Sequence, residues 1–137
     1  MNKKSTAKTF FKLEHFGTLV GVNDGTIENC SLNANIDINN NNLSSRILTI
    51  GGICGYNLSY IINTMFNGNI YYTGVDDPHT YYVGLICGKS EKNGLINKCL
   101  SSGNVSTDKT GGSWMFVSHY IGGICGYNDA SISQTLF

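Results

Sequence analysis

The sequence predicts an all-β fold, a parallel β-solenoid (β-helix) of about four coils. Three observations carry that expectation. First, a glycine-led stretch recurs. It reads GTLVGVNDGTIENC from Gly17, GGICGYNLSYIINT from Gly51, GLICGKSEKNGLINKC from Gly84 and GGICGYNDASISQT from Gly122, with the first glycines 34, 33 and 38 residues apart. A period of this size marks stacked repeats, each burying its apolar face only against its neighbours. Second, Cys30, Leu32, Ala34 and Ile36 alternate with Ser31, Asn33 and Asn35, the period of a half-buried strand. Third, the 137 residues include 17 glycines and one proline, Pro78. Gly and Asn suit repeated tight turns, whereas proline interrupts a sheet ladder.

Taken in order, residues 1–14 read as an N-terminal strand or tail, with a strand-like run at residues 9–16 (TFFKLEHF). Coils then occupy 15–47, 48–81 and 82–119, with a partial coil at 120–137. Alignment of the copies gives ladders. Leu19, Ile53, Ile86 and Ile124 correspond, as do Val20, Cys54, Cys87 and Cys125, and then Asn23, Asn57, Ser90 and Asn128. Ile27, Ile61, Ile96 and Ile132 follow, then Leu32, Phe66, Ser101 and Phe137, and in three copies Ile36, Ile70 and Val105. The third copy holds two extra residues between its serine and its isoleucine. Stacking in parallel register places such residues over one another at roughly 4.8 Å. The asparagines then form either a ladder at a bend or a set of solvated turns. Ile50, Gly52 and Cys54 read as one strand face. Ile53 and Cys54 are neighbours, so one of the two is expected to point outward, with cysteine the preferred inward residue. Residues 37–46, 71–81 and 106–119 do not repeat and read as loops.

The formal charge is zero and 13% of residues are charged, which lacks the basic face that nucleic-acid binding needs. Lys3, Lys4, Lys8 and Lys12 form the one basic cluster, a solvated tail or a contact for an anionic partner. No apolar run approaches the roughly 20 residues of a membrane span. The first residues do not read as a signal peptide, so an export signal would lie outside this chain, and a native start at Met1 would imply the cytosol. The five cysteines contain no C-x-x-C spacing, which disfavours a zinc knuckle. Cysteines in adjacent coils would aim alongside one another rather than converge, so free thiols in a reducing setting are expected.

The string G-G-[IL]-[CV]-G-x-N followed by G-x-I-x-N-C resembles the GLUG repeat, best matched by VGVNDGTIENCSLNANI from Val20 to Ile36. That repeat occurs in large bacterial surface proteins, including adhesins and IgA-type metallopeptidases. The resemblance implies a β-solenoid in a cell-surface or extracellular adhesion setting, flanked by further repeats. It implies no catalytic residues and no cofactor. The zinc helix of the peptidases needs H-E-x-x-H, which does not occur around His15, His79 or His119.

Candidate chemistry is sparse. Asp76, Asp77 and His79 flank Pro78 and read either as a metal ligand set or as an ordinary polar turn, the turn being preferred. Tyr71, Tyr72, Tyr81, Tyr82, Trp114, Phe116 and Tyr120 crowd the variable segments. They could offer a platform for glycans or host proteins, or they could pack over the solenoid flank or cap its core, packing being preferred. No serine–histidine–acid set or carboxylate pair stands out, so the chain is expected not to be an enzyme. The ends carry Phe10, Phe11, Leu13 and Phe16 on one side and Leu136 and Phe137 on the other. An uncapped solenoid exposes strand edges, so these residues are expected either to drive head-to-tail self-assembly into filaments or to meet flanking repeats of a longer surface protein from which this chain is cut.

Overall fold

The computed structural model describes residues 2–5, 13–39, 47–73, 80–107 and 118–137. Within them, nineteen strands numbered in chain order wind into a stack of five narrow parallel sheets. Sheet 1 holds β2 (Leu13–Gly17), β7 (Ile47–Gly51), β12 (Thr80–Gly84) and β17 (Ser118–Gly122). Sheet 2 holds β3 (Val20–Asn23), β8 (Cys54–Asn57), β13 (Cys87–Ser90) and β18 (Cys125–Asn128). Sheet 3 holds β4 (Thr26–Glu28), β9 (Tyr60–Ile62), β14 (Leu95–Asn97) and β19 (Ser131–Ser133). Sheet 4 holds β5 (Ser31–Asn33), β10 (Met65–Asn67) and β15 (Leu100–Ser102), extended by a bridge from Leu100 to Leu136. Sheet 5 holds β1 (Asn2–Ser5), β6 (Asn35–Asn39), β11 (Ile70–Thr73) and β16 (Val105–Thr107).

Every pairing is parallel, and the register follows the sequence ladders. Ile27 pairs with Ile61, Ile61 with Ile96 and Ile96 with Ile132. Leu32 pairs with Phe66, and Phe66 with Ser101. The inward residues of all five sheets meet on the axis. Ile50, Ile61, Phe66, Ile70, Val83 and Ile96 are fully buried there, each worth about 1.5–3 kcal/mol relative to exposure. No coil could bury these side chains alone, so the stack is the unit of stability.

Sheet 5 is displaced by one level. β1 pairs with β6 of the first coil, Asn2 opposite Asn35 and Ser5 opposite Ile38. It therefore stands one level before β2, on the chain's own first coil. β2 itself runs across the 14/15 boundary drawn from the copies.

The GICG run departs from its expected geometry. Ile53 and Cys54 are both fully buried, so neither ladder forms an outer stripe. Sheet 1 ends at Gly51 and sheet 2 begins at Cys54, with a bend between them. Alternation restarts across that bend, so Ile50, Gly52 and Cys54 are not one strand face. Ile53 and Cys54 both direct their N–H groups at Ile86 O, at 3.0 and 3.1 Å. Glycine is required at this fold-back. A Cβ on Gly51 would collide with the carbonyl of Cys54, and one on Gly52 would meet Leu85 O and lie 2.6 Å from the Phe66 ring.

A second bend separates sheets 3 and 4. Its corner residue is left-handed in every coil: Asn29 (φ 56°), Asn63 (φ 49°), Lys98 (φ 55°) and Gln134 (φ 49°). Asn readily visits this region; Lys and Gln do so rarely, and here they follow the corner of the coil they stack on. The two extra residues of the third copy form an outward turn at Lys92–Asn93, closed by Gly94 N donating to Glu91 O at 2.8 Å. Pairing resumes unshifted, Leu95 opposite Tyr60.

All five cysteines are free thiols, with Cys54, Cys87 and Cys99 buried. The Asp76, Asp77 and His79 turn lies outside the described residues.

Candidate functional site

Two surfaces gather the residues singled out by sequence, one on the flank and one at the last coil. Strand parity sorts the tyrosines first. In β11, Ile70 and Tyr72 face the core while Tyr71 faces out, because Tyr72 takes the register of Ile38. In β12, Tyr81 takes the register of Leu48 and is likewise interior. Tyr72 and Tyr81 pack ring to ring, with centroids 5.0 Å apart. They are therefore core residues, not platform residues, and burial pushes the Tyr72 phenol well above its usual range. Tyr71 is exposed on sheet 5, apart from the rest. Trp114 and Phe116 lie outside the described residues.

Tyr82 and Tyr120 do meet, on the outer face of sheet 1. They continue the rung His15–Thr49–Tyr82–Tyr120. The rung Val22–Tyr56–Lys89–Tyr127 of sheet 2 lies beside it, because the glycine fold-back brings the two strands together. Tyr82 stacks on Tyr120 at 4.9 Å, and Tyr127 meets both edge-on at 5.6 and 6.0 Å. His15 stacks on Tyr56 at 4.9 Å. The Lys89 ammonium sits 5.2, 5.5 and 5.9 Å from the ring centres of Tyr82, Tyr127 and Tyr56, within cation–π range of all three. It also pairs with Glu91 at 3.4 Å. Tyr56, His15, Lys89, Glu91 and Tyr127 were not picked out by sequence. The signal was present in the rung alignment, which places Tyr56, Lys89 and Tyr127 two residues after the cysteine ladder.

The electrostatics of this cluster are internally matched. The Tyr56 hydroxyl donates to Glu91 Oε1 at 2.6 Å. Burial, reinforced by that carboxylate, pushes Tyr56 up to about 12. The same hydrogen bond holds Glu91 below its usual range. Burial, and then the nearby Lys89 charge, lowers His15. His15 Nδ1 lies 2.6 Å from Thr49 Oγ1, but Thr49 is buried, so no substrate reaches that hydroxyl. The cluster can hold coils together and present tyrosine edges to a partner. Among the described residues no group of three His, Cys, Asp or Glu side chains is placed to hold a metal ion.

The second surface is the last coil. Rungs that are sealed inside open here: Ile121 is 49% exposed where Val83 is 0%, and Phe137 is 70% exposed where Phe66 is 0%. Leu136 is exposed beside Phe137. β17, β18 and β19 are edge strands, each with one described neighbour. Because sheet 5 stops at β16, one level short, a depression of about 160 Å³ remains, lined by Leu85, Gly103, Val105, Ile121 and Phe137. The first coil is better covered. Ile27 is 8% exposed against 38% for Ile132, Phe16 is half-buried against the core, and β1 lies over β6. Leu13 opens β2, opposite Ile47. Phe10 and Phe11 lie outside the described residues. No helix among the described residues is long and apolar enough to cross a membrane.

Compared with family models, curated proteins and solved structures, the chain matches none of them.

Proposed function

We propose that this chain is a non-catalytic structural solenoid that lengthens by adding coils at its open end, head to tail with a second copy or with flanking repeats. The observation that supports it most is the contrast between identical rungs: residues equivalent to the dry interior, such as Ile121, Ile132 and Phe137, lie open on the last coil beside three edge strands. Edge strands with apolar rungs are templates for further parallel pairing. A second copy stacked in register would set Phe16 on Ile121, Val20 on Cys125, Ile27 on Ile132 and Leu32 on Phe137, apolar on apolar at each level. Such a contact is heterologous and does not close, so it propagates as a filament. The likeness of the copies to the GLUG repeat supports a cell-surface, adhesin-type setting.

Sedimentation velocity over a concentration series, with electron microscopy of the same samples, tests the reading. It requires species that grow with concentration and rods of solenoid width. Phe137→Asp should weaken growth at least tenfold. A monomer at every concentration overturns stacking on a second copy and leaves flanking repeats of one chain as the only way to extend the column.

A second reading has its own observation. Tyr120 and Tyr127 are about two-fifths exposed at the end of the aromatic cluster, where tyrosine edges could receive a sugar or protein surface. Glycan-array binding that disappears in Tyr120→Ala would favour a carbohydrate-binding module; an array without signal would remove it.

A further inference from the structure

The cysteine ladder of sheet 2 holds its thiols in one repeated pose. Val20, Cys54, Cys87 and Cys125 share a rung. Each thiol donates to the carbonyl two residues on: Cys54 Sγ to Tyr56 O, Cys87 Sγ to Lys89 O and Cys125 Sγ to Tyr127 O, at 3.0 Å in all three. The sulfurs of Cys87 and Cys125 also lie 4.0 Å from a carbonyl of the coil before, Gly55 O and Gly88 O respectively. Side chains in one pose, displaced by one rung each, place neighbouring sulfurs about 4–5 Å apart, near the inter-strand spacing. A disulfide needs them at about 2.05 Å, which this pose does not approach. Strand side chains stand roughly perpendicular to the sheet, so the line between two sulfurs runs nearly at right angles to each Cβ–Sγ bond. Sulfur binds a metal ion through a lone pair at about such an angle. A thiolate–metal bond is about 2.3 Å long, so an ion midway between two of these sulfurs reaches both without a cavity.

We propose that Cys87 and Cys125 form a two-coordinate site for a soft metal ion of linear preference, with the mercuric ion as the member of that class best suited to this interior. Thiolate sulfur selects soft ions. Zinc is a poor match, because it takes four ligands and no group of three His, Cys, Asp or Glu among the described residues is placed to hold an ion. The mercuric ion displaces one proton from each thiol and forms two sulfur–mercury bonds. Both protons pass to solvent, and the bound complex is neutral. A silver(I) or copper(I) ion would leave one negative charge among the apolar core residues that surround Cys87, which opposes binding. Cys125 is the entrance. It is partly exposed on the last coil, whereas Cys54 and Cys87 are buried. Its thiol is also held below the usual range, so it supplies the first thiolate. Cys54 lies one rung further in, and Cys87 would have to bridge two ions to bring it into use. The site does not depend on end-to-end stacking.

The test loads the full 137-residue chain with one equivalent of mercuric chloride and competes the ion off with glutathione. Val20 shows that valine fits this rung, so the comparison uses Cys54→Val, Cys87→Val and Cys125→Val, with far-UV circular dichroism checking the fold of each. Cys54→Val should hold the ion within about threefold of wild type, whereas Cys87→Val and Cys125→Val should release it about a hundredfold more readily, each having lost one of the two thiolate ligands. X-ray absorption at the mercury edge should find two sulfur neighbours at about 2.3 Å. Undiminished retention in Cys87→Val or Cys125→Val places the ion on other thiols and overturns the pair. Equal loss in Cys54→Val, or a third sulfur neighbour, overturns it as well. If Cys87→Val does not fold, Cys125→Val decides alone, since its site lies on the last coil.

Discussion

Asn23 and Asn57 are joined across a coil boundary: the Asn23 side-chain amide donates to Asn57 Oδ1 at 2.8 Å, with both side chains buried. Asn57 passes the contact on, donating to Ser90 Oγ at 3.1 Å and to Ser59 O at 2.9 Å. Replacing Asn57 by Ala removes this connection, leaving the Asn23 amide with Tyr60 O as its acceptor and the Ser90 hydroxyl without its Asn57 donor. The expected cost is about 2 kcal/mol, since a buried polar group left without a partner costs about 1–3 kcal/mol. Urea unfolding followed by far-UV circular dichroism measures it. A loss below 1 kcal/mol would mean that water replaces the ladder.

The glycine fold-backs yield a contrast between two substitutions. Gly52→Ala would place a methyl group against Leu85 O and the Phe66 ring. It should cost about 3 kcal/mol or more, because the obstructing carbonyl belongs to the backbone of the next coil. Gly25→Ala meets nothing within 4 Å and should change stability by no more than about 0.5 kcal/mol, or raise it slightly. Thermal melts of the two variants side by side give the comparison.

Acid sensitivity follows from His15. Its folded imidazole titrates below 6.5, its ordinary value, through burial and then the Lys89 charge. As pH falls through 6.5 the unfolded chain takes up this proton while the folded chain resists. The unfolded state thus binds more protons in that window, and stability drops until the folded group also protonates. Above 6.5 the contribution is fully present. His15→Gln should flatten this part of the profile. Urea midpoints at pH 7.5, 6.5, 5.5 and 5.0 for both chains provide the test, and parallel profiles would exclude His15 as the source.

The thiols should react in a fixed order. Cys54 and Cys87 are fully buried, and burial drives Cys87 far above the usual thiol range. Cys125 is partly exposed, and the hydrogen bond from Cys87 lowers it. The thiolate is the reacting form. Iodoacetamide at pH 8 with peptide mass spectrometry should find Cys125 labelled first, with Cys54 and Cys87 labelled only as the chain unfolds. Early labelling of Cys87 would contradict its placement in the core.

The ladders were legible because each rung repeats a residue type at a fixed interval, and parallel stacking converts that interval directly into contact. Ile27, Ile61, Ile96 and Ile132 needed nothing else. Tyr72 and Tyr81 were left open between an exposed platform and packing because their neighbourhood varies between copies. Extending the alternation from Ile70 by two residues, or back from Val83 by two, places both inside. The outward half of the Ile53–Cys54 expectation failed for a different reason. Period-two reasoning holds only along a strand, and Gly51 and Gly52 turn the chain between the two sheets. At the other corner Asn29 and Asn63 hint at a left-handed residue, but Lys98 and Gln134 do not. There the stacking of each coil on its neighbour dictates the backbone. The Lys89 cluster was hidden because it spans two sheets: Tyr56, Lys89 and Tyr127 share a rung of sheet 2, while His15, Tyr82 and Tyr120 come to it from a rung of sheet 1.

The outward turn at Lys92–Asn93 shows how this architecture separates length from height. Two additional residues leave the axis sideways, and the strands on either side remain in step with their neighbours. Growth at that corner is therefore radial. A peptide epitope or small folded module grafted between Lys92 and Asn93 would project from the flank while the rest of the column keeps its spacing, which makes the third coil a natural point for display.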